Sequence, residues 1–563
     1  MYKPWILVVP KTLFLTLIIC LFYSSKVICQ NLNLQIYGNN EIEDHIIDSI
    51  GYLKFHKNYA SITNEIDSIQ NKLFKIGFIE STCSEINKEN DSSFSVKFNL
   101  KTKFYTIYIY YDKTGINPDL IKTVSKKVNP LYFELPITQI EPVLTVLNTK
   151  ISDKGFPFSK LSLANIKTVP NGIIKADLVV NSENQKRHIN SITIKGYEKF
   201  PKSFLKHYLK IKPNQTFDLT TIKKKADQLN NLWFAKQIKS PEVLFTKDST
   251  TLYMYIEKSK SNMFDGFLGF GTNEETNKLD FNGYLNLNLV NNLNFGESFG
   301  LQYKSTQGNQ KLFQADVNMP YLLNTPIGVD LQLYIFKQDS SFTTVNQSAK
   351  LNYQINSKHK LFSGIKTSES NNLLNTATTN SISDYKSNFI TIAYQFTKPQ
   401  YYNFLFPVNA TLFLETGFGS RKTSETSEKQ TQLNMDAFKI FNFNQKNSFY
   451  LRINGSSLVS DSYFENELSR FGGINSVRGF NENSILATSY GFMNTEYRFL
   501  LSPTIYIHSI IDIASFENKI TNTKEKLFAY GFGFGILSKA GLLKLNFANG
   551  KTGNQKFIKF ISP

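Results

Sequence analysis

Cysteine is nearly missing from this chain. Of three in 563 residues, Cys20 and Cys29 fall in the first thirty positions, which leaves Cys83 alone in the remainder. One thiol cannot close an internal disulfide, so stability must come from burial and hydrogen bonding, and Cys83 reads as a small, half-buried side chain. Long apolar runs are also missing. Residues 12–23, behind Lys3 and Lys11, are too few for a spanning helix, which needs about 20 apolar residues. They have the anatomy of a secretory signal, with a cleavage zone near Cys29 and Gln30, so residues 1–29 are assigned to a signal peptide. Lys26 and Ile28 suit a lipidation box at Cys29 poorly.

Chemistry-bearing motifs are scarce. The six histidines form no His-Glu-x-x-His or other close ligand pair, so no metal or other cofactor is expected. Gly296-Glu-Ser-Phe-Gly300 matches the G-x-S-x-G nucleophile pattern, which requires a strand, a sharp turn and a helix. Here it lies in an alternating run, 293–303, with no helix after it and no suitably placed His/Asp pair. An enzyme is not expected. The net charge of +18 comes from lysines scattered along the chain. Without a compact basic cluster interleaved with aromatics, nucleic acid is not an expected partner, and attraction to anionic lipid head groups is the simpler account.

What the sequence does contain divides at about residue 260. Before it, strand and helix periods alternate three times. The first unit, 30–101, has a strand at 32–37, helices at 43–52 and 61–75, and a strand at 94–100. Ile62, Ile66, Ile69 and Leu73 share one face of its second helix. The second unit, 102–183, repeats the order with a strand at 104–111, helices at 118–127 and 137–152, and strands ending at 173–180. In the third, 184–260, a strand at 189–196 precedes helices near 201–209 and 219–233, then strands at 242–245 and 251–256. A β-α-α-β-β unit used three times is a repeat of pattern. An open sheet edge on such a unit can accept an extended segment of another protein, although a plain spacer role fits the pattern too.

After residue 260 the helical period disappears. Leu279, Phe281, Leu285, Leu287 and Leu289 alternate with Asp280, Asn282, Asn286 and Asn288, and Phe528, Tyr530, Phe532, Phe534 and Ile536 alternate with alanine and glycines. About sixteen such segments approach the ~9–11 residues that cross a membrane at a tilt. An exported chain of that kind is expected to form an antiparallel, sixteen-stranded transmembrane barrel over 261–563, greasy outside and polar within, with an aqueous interior. The expected fold class is therefore α+β repeats followed by an all-β barrel.

One loop stands out: Arg470-Phe-Gly-Gly-Ile-Asn-Ser-Val-Arg-Gly-Phe480. Its glycines allow positive φ and close backbone approach. Such a loop could fold back into the lumen and carry Arg478, Gly479 and Phe480 to the wall. Parity on the flanking strands points Asn494, Glu496 and Arg498 inward, and Asp512 with His508. Glu496 and Asp512 could then bridge the Arg478 guanidinium; separately solvated charges account for the pattern equally well.

That loop resembles the sixth extracellular loop of the BamA/TamA superfamily of outer-membrane assembly factors, with its Val-Arg-Gly-Phe. Asn494-Thr-Glu-Tyr-Arg498 and Ile511-Asp-Ile513 resemble the strand motifs that follow it, and the three repeats resemble POTRA domains, three being the TamA-type count. The resemblance implies an outer-membrane protein with periplasmic N-terminal domains that inserts or translocates unfolded client proteins. It also implies a periplasmic or inner-membrane partner subunit bound through the repeats, and contact with outer-membrane lipids. A lateral seam is expected where the first strand, near 264–271, meets the last, near 556–561, with Phe264, Phe270, Phe557 and Phe560 as its residues. The chain ends Phe560-Ile-Ser-Pro563, three residues past the family's usual terminal aromatic. The alternatives are a two-partner secretion translocator serving one exported protein, and a passive pore.

Overall fold

The computed structural model describes residues 31–113, 115–170, 172–181, 185–272, 279–306, 310–374, 381–400, 403, 405–538, 541–552 and 558–562. Residues 267–272, 279–282, 306, 552 and 558–562 are described by backbone alone. The expected signal peptide lies outside these residues. The chain forms two compact units, 1–186 and 187–563.

The first unit contains two α/β modules of one build. In each, the first strand pairs in parallel with a later one: Leu32–Tyr37 with Ser93–Asn99, and Thr106–Tyr110 with Ile173–Asn181. Helices Glu41–Ile50 and Tyr59–Lys75 bury Ile47, Ile62, Ile66, Ile69 and Leu73 against the first sheet. Asn58 caps the longer helix by accepting from the Ser61 N–H at 2.8 Å, which satisfies an otherwise orphaned donor. In the second module the helix expected over 118–127 is only Pro118–Lys122, and a strand, Tyr132–Pro136, was missed. Pro130 biases Asn129 away from helical geometry. The Ser125 hydroxyl lies 2.8 Å from the Glu134 carbonyl and donates to it, folding the chain back. Cys83 proves exposed rather than half-buried.

The second unit opens with a module whose sheet order is Ser191–Gly196, Thr250–Lys258, Ala235–Phe245. Its helical parts are shorter than the periodicity suggested: one wide turn at Phe204–Tyr208, and Leu219–Ala226 running into a tighter turn, Asp227–Asn231. Lys210, at φ 54°, ends the first.

Sixteen strands follow in one antiparallel sheet, each paired with the next from Met263–Thr272 to Ile558–Ser562. They are numbered here first to sixteenth. Alternation decides their faces. In the eighth, Tyr385–Pro399, Ser387, Phe389, Thr391 and Ala393 are buried while Ile390 and Ile392 are exposed. The fourteenth, Thr523–Ser538, exposes Phe528, Tyr530 and Phe532 and turns Leu527 and Ala529 inward. Glycines on its inner face make room: a Cβ on Gly535 would lie 2.1 Å from the Tyr506 ring. An apolar exterior of this extent on strands of membrane-crossing length is the pattern of a barrel in lipid. Among the described residues no helix is long and apolar enough to cross a membrane.

The G-x-S-x-G segment is not wholly a strand, as the alternation had suggested. Asn291, Asn294 and Gly296 all take positive φ, and the third strand begins only at Ser298. The resulting turn serves as a seat. The Asn291 amide donates to the Tyr197 hydroxyl at 2.8 Å, and that hydroxyl donates to Asn294 at 2.7 Å. Burial pushes the Tyr197 pKa up. From the next turn Tyr321, itself buried, meets Phe204 edge-on at 4.8 Å, and the Asn324 carbonyl lies 2.8 Å from His207 Nε2. Tyr321 thereby belongs to the hydrophobic core of the module.

Candidate functional site

The segment joining the eleventh strand, Asn447–Val459, to the twelfth, Ser489–Ser502, carries the arginine loop. Gly472 and Gly473 take φ of 109° and 99° and turn it; Ser469–Phe471 and Ile485–Ala487 pair across its stem. The loop touches strands far apart in the sheet. The Asn466 amide donates to Ser370 on the seventh at 2.9 Å. Arg452 on the eleventh donates to the Asn475 carbonyl at 2.8 Å. A Cβ on Gly479 would sit 2.5 Å from the Gly550 nitrogen on the fifteenth. One short segment can meet strands seven, eleven and fifteen only if the sheet curls around it, so the loop lies within the barrel.

Arg478 reaches the wall where parity pointed its acidic partners. Its backbone N–H and Nε each donate to Asp512 Oδ2 at 2.9 Å, and Nη2 donates to Oδ1 at 2.6 Å. Nη1 donates to Glu496 Oε1 at 2.5 Å. Glu496 Oε2 accepts from Arg498 Nε at 2.7 Å, and the Arg498 guanidinium rests on the Tyr450 ring at 4.0 Å. Arg478 is 6 % exposed, Glu496 5 % and Asp512 0 %. Two carboxylates facing two guanidiniums leave no net charge, which makes burial of all four tolerable. Glu496 sits on the twelfth strand and Asp512 on the thirteenth, Ile505–Asn518. Asn494, two residues before Glu496, donates to the Ser476 carbonyl at 2.7 Å. Gly479 takes φ 89°, and its missing Cβ allows the close approach to Gly550. Phe480 follows it into an apolar cluster with Phe471, Val477, Phe492 and Ala514.

Of the expected seam residues, Phe264 is 70 % exposed on the first strand. Phe270 and Phe560 are placed by backbone alone, Phe560 opposite Ala548, and Phe557 lies outside the described residues. Among the described residues the sixteenth strand has five, against ten in the first.

Sequence reasoning missed a second charged cluster on this loop. Arg421, 1 % exposed, donates to Glu467 in the loop and, at 2.7 Å, to Glu428 across a hairpin, with its guanidinium 4.2 Å from the Phe464 ring. The Arg421–Glu428 half was findable, because the two face each other across the tight turn after Lys422. Glu467 offered no such signal.

The POTRA family model, described as a surface antigen variable number repeat, matches residues 187–259. These are the module packed against the barrel turns. Among solved structures, BamA from Haemophilus ducreyi lacking POTRA domains 1–3 is similar over 80 % of this chain and 97 % of its own, with a TM-score of 0.50 at 13 % identity. The likeness is one of fold, a BamA-like barrel. CdiB from Escherichia coli (15 % identity, 88 % of this chain and 95 % of that one) and CdiB from Acinetobacter baumannii (14 %, 80 % and 87 %) each give a TM-score of 0.47. No curated protein matches the chain. The POTRA domain is thus continuous with a BamA-like barrel, and the arginine loop is the one between its eleventh and twelfth strands.

Proposed function

We propose that this protein inserts or translocates other proteins at an outer membrane, with its barrel in the lipid and its N-terminal modules in the periplasm. The observation that carries this reading is a POTRA domain seated on the turns of a sixteen-stranded barrel. All three N-terminal modules are taken as POTRA domains. Each has sheet-edge strands, such as Ser191–Gly196 and Ala235–Phe245 in the third, and a free edge can bind an extended client or a partner subunit by strand addition. Chemistry by cofactor or nucleophile has no part in the scheme.

The wall would open between its first and last strands. Among the described residues, five of the sixteenth strand pair with the fifteenth; a short pairing leaves few hydrogen bonds to oppose release, and an opened edge templates an incoming strand. Arg478, held by Glu496 and Asp512, would brace the wall while this happens. Gly479 and Phe480 bring that brace to the fifteenth strand, beside the last.

Depletion of the protein in its own cells, followed by quantitative proteomics of the outer membrane, tests the reading. Selective loss of several other barrel or surface proteins is expected. Loss of one exported protein alone would turn the assignment to a dedicated translocator, and no loss beyond the protein itself would leave a pore.

A further inference from the structure

Between the POTRA domain and the two barrel turns that seat it lies a cleft of about 700 Å³. Its domain side carries Lys199 and Lys202, both exposed. Neither lysine contacts a carboxylate among the described residues. The adjacent Glu198 does not line the cleft. The one carboxylate that does, Glu297, is engaged: its Oε1 accepts from the Leu293 N–H at 2.6 Å and its Oε2 from the Phe295 N–H at 3.0 Å.

The barrel side is apolar and faces outward. With their backbones held by Glu297, Leu293 and Phe295 keep 63 % and 67 % of their surface exposed. In the next turn Leu323 is 97 % exposed at φ 50°, between Tyr321 at 55° and Asn324 at 59°. A left-handed backbone is unfavourable for leucine, and so is its bare side chain in water. At that exposure, packing within the chain offsets neither cost. The place of the turn accounts for it. The fourth and fifth strands run into this turn with Met319, Ile327 and Leu331 also exposed, so the lipid-facing band of the barrel continues onto it. Apolar exterior with basic side chains alongside is the order found where hydrocarbon gives way to head groups.

We infer that this cleft holds an anionic phospholipid of the leaflet nearest the POTRA domain, its acyl chains against Phe295, Met319 and Leu323 and its phosphate toward Lys199 and Lys202. A lipid is long enough to reach both sides of the cleft, so no single group need touch both lysines. An amphiphile matches the cleft better than a free anion or a peptide. One wall is apolar and joins surface already in lipid, and the unpaired charges on the other are both positive. Bound there, the lipid spans domain and turns together. The inference rests on the reading of the barrel as lying in lipid, and holds whether or not the protein handles clients.

Quenching of tryptophan fluorescence by lipids brominated on their acyl chains tests this. In the full chain, Trp5→Phe and Trp233→Phe remove both tryptophans, and Phe295→Trp places a reporter in the cleft. The chain is folded into phosphatidylcholine vesicles holding a small share of brominated phosphatidylglycerol or of brominated phosphatidylcholine. The phosphatidylglycerol should quench as though enriched about tenfold or more at the reporter, since each basic residue near an anionic bilayer surface is worth about fivefold. Lys199→Gln with Lys202→Gln should bring the two lipids to parity, and Lys199→Arg with Lys202→Arg should keep the preference. A separate reporter, Ile392→Trp on the exposed face of the eighth strand, should be quenched by both lipids alike. No quenching there would remove the reading of the barrel as lying in lipid, and the inference with it. Heat-dependent gel migration reports whether each variant has a folded barrel. With Ile392→Trp quenched, equal quenching of Phe295→Trp by the two lipids would overturn the inference, reducing the cleft to ordinary boundary lipid. Absence of quenching at Phe295→Trp would overturn it too, leaving the cleft to water or a partner protein, as would a preference undiminished in the glutamine variant.

Discussion

At the scale of single residues, the arginine loop is an electrostatic problem solved in a buried place. Replacing Arg478 with Ala strands the Asp512 carboxylate with 0 % exposure beside Glu496. Breaking one side of such a pair costs about 3–5 kcal/mol, so the variant should unfold in detergent at markedly lower urea than the parent. Arg478→Lys keeps the charge but not the fork, and should recover only part of the loss. Gly479→Ala combines a φ of 89° with a Cβ 2.5 Å from the Gly550 nitrogen. Such backbone strain costs about 1–3 kcal/mol; the same titration reads it. Glu496 and Asp512 were legible in the sequence because strand parity is a rigid rule: neighbours on a strand face opposite ways, and the buried set falls on Asn494, Glu496 and Arg498. Arg421 was not, because its partner Glu467 lies in an irregular loop 46 residues away, where no periodicity connects the two.

At the scale of elements, strands were easier to read than helices. Alternation repeats every second residue and survives in a long strand, whereas Phe204–Tyr208 is one turn whose apolar residues serve packing against Tyr321 rather than helical period. The G-x-S-x-G run shows the limit of alternation itself. Its apolar and polar letters continued through a turn that only the positive φ angles of Asn291, Asn294 and Gly296 define. The seat of the POTRA domain depends on that turn. A Cβ on Gly296 would lie 2.0 Å from the Phe204 ring, so Gly296→Val should loosen the domain while the barrel keeps its heat-dependent gel migration. Tyr321→Ala should do the same by removing a buried aromatic, a truncation worth about 3 kcal/mol. Faster proteolysis within residues 187–259, with an intact barrel fragment, is the expected readout for both; unchanged digestion would contradict the proposed seat.

For the whole molecule, the division at residues 186 and 187 sets an experiment. A chain beginning at Arg187 retains the POTRA domain with the core that includes Tyr321, and should fold in detergent to a heat-modifiable barrel without the first 186 residues. If that shorter chain failed to fold, the first unit would be needed for barrel formation. The architecture at this scale was open to reading because helical periods interleave with strands only before about residue 260, and strand alternation alone follows. A cavity bordered by Arg470 was not, because it is assembled by strands five to eight, ten and eleven and the loop that follows the eleventh.

The loop contacts also carry a history of folding. Arg478 lies 18 residues from Glu496 and 34 from Asp512, whereas Arg470 lies 132 from Gln338. Short separations close with less loss of chain entropy and form sooner. The loop with its twelfth and thirteenth strands can thus fasten first, as a small charged kernel. The earlier strands then wind onto it from the other side, so the piece that fills the finished barrel would serve during assembly as the mandrel on which the barrel is wound.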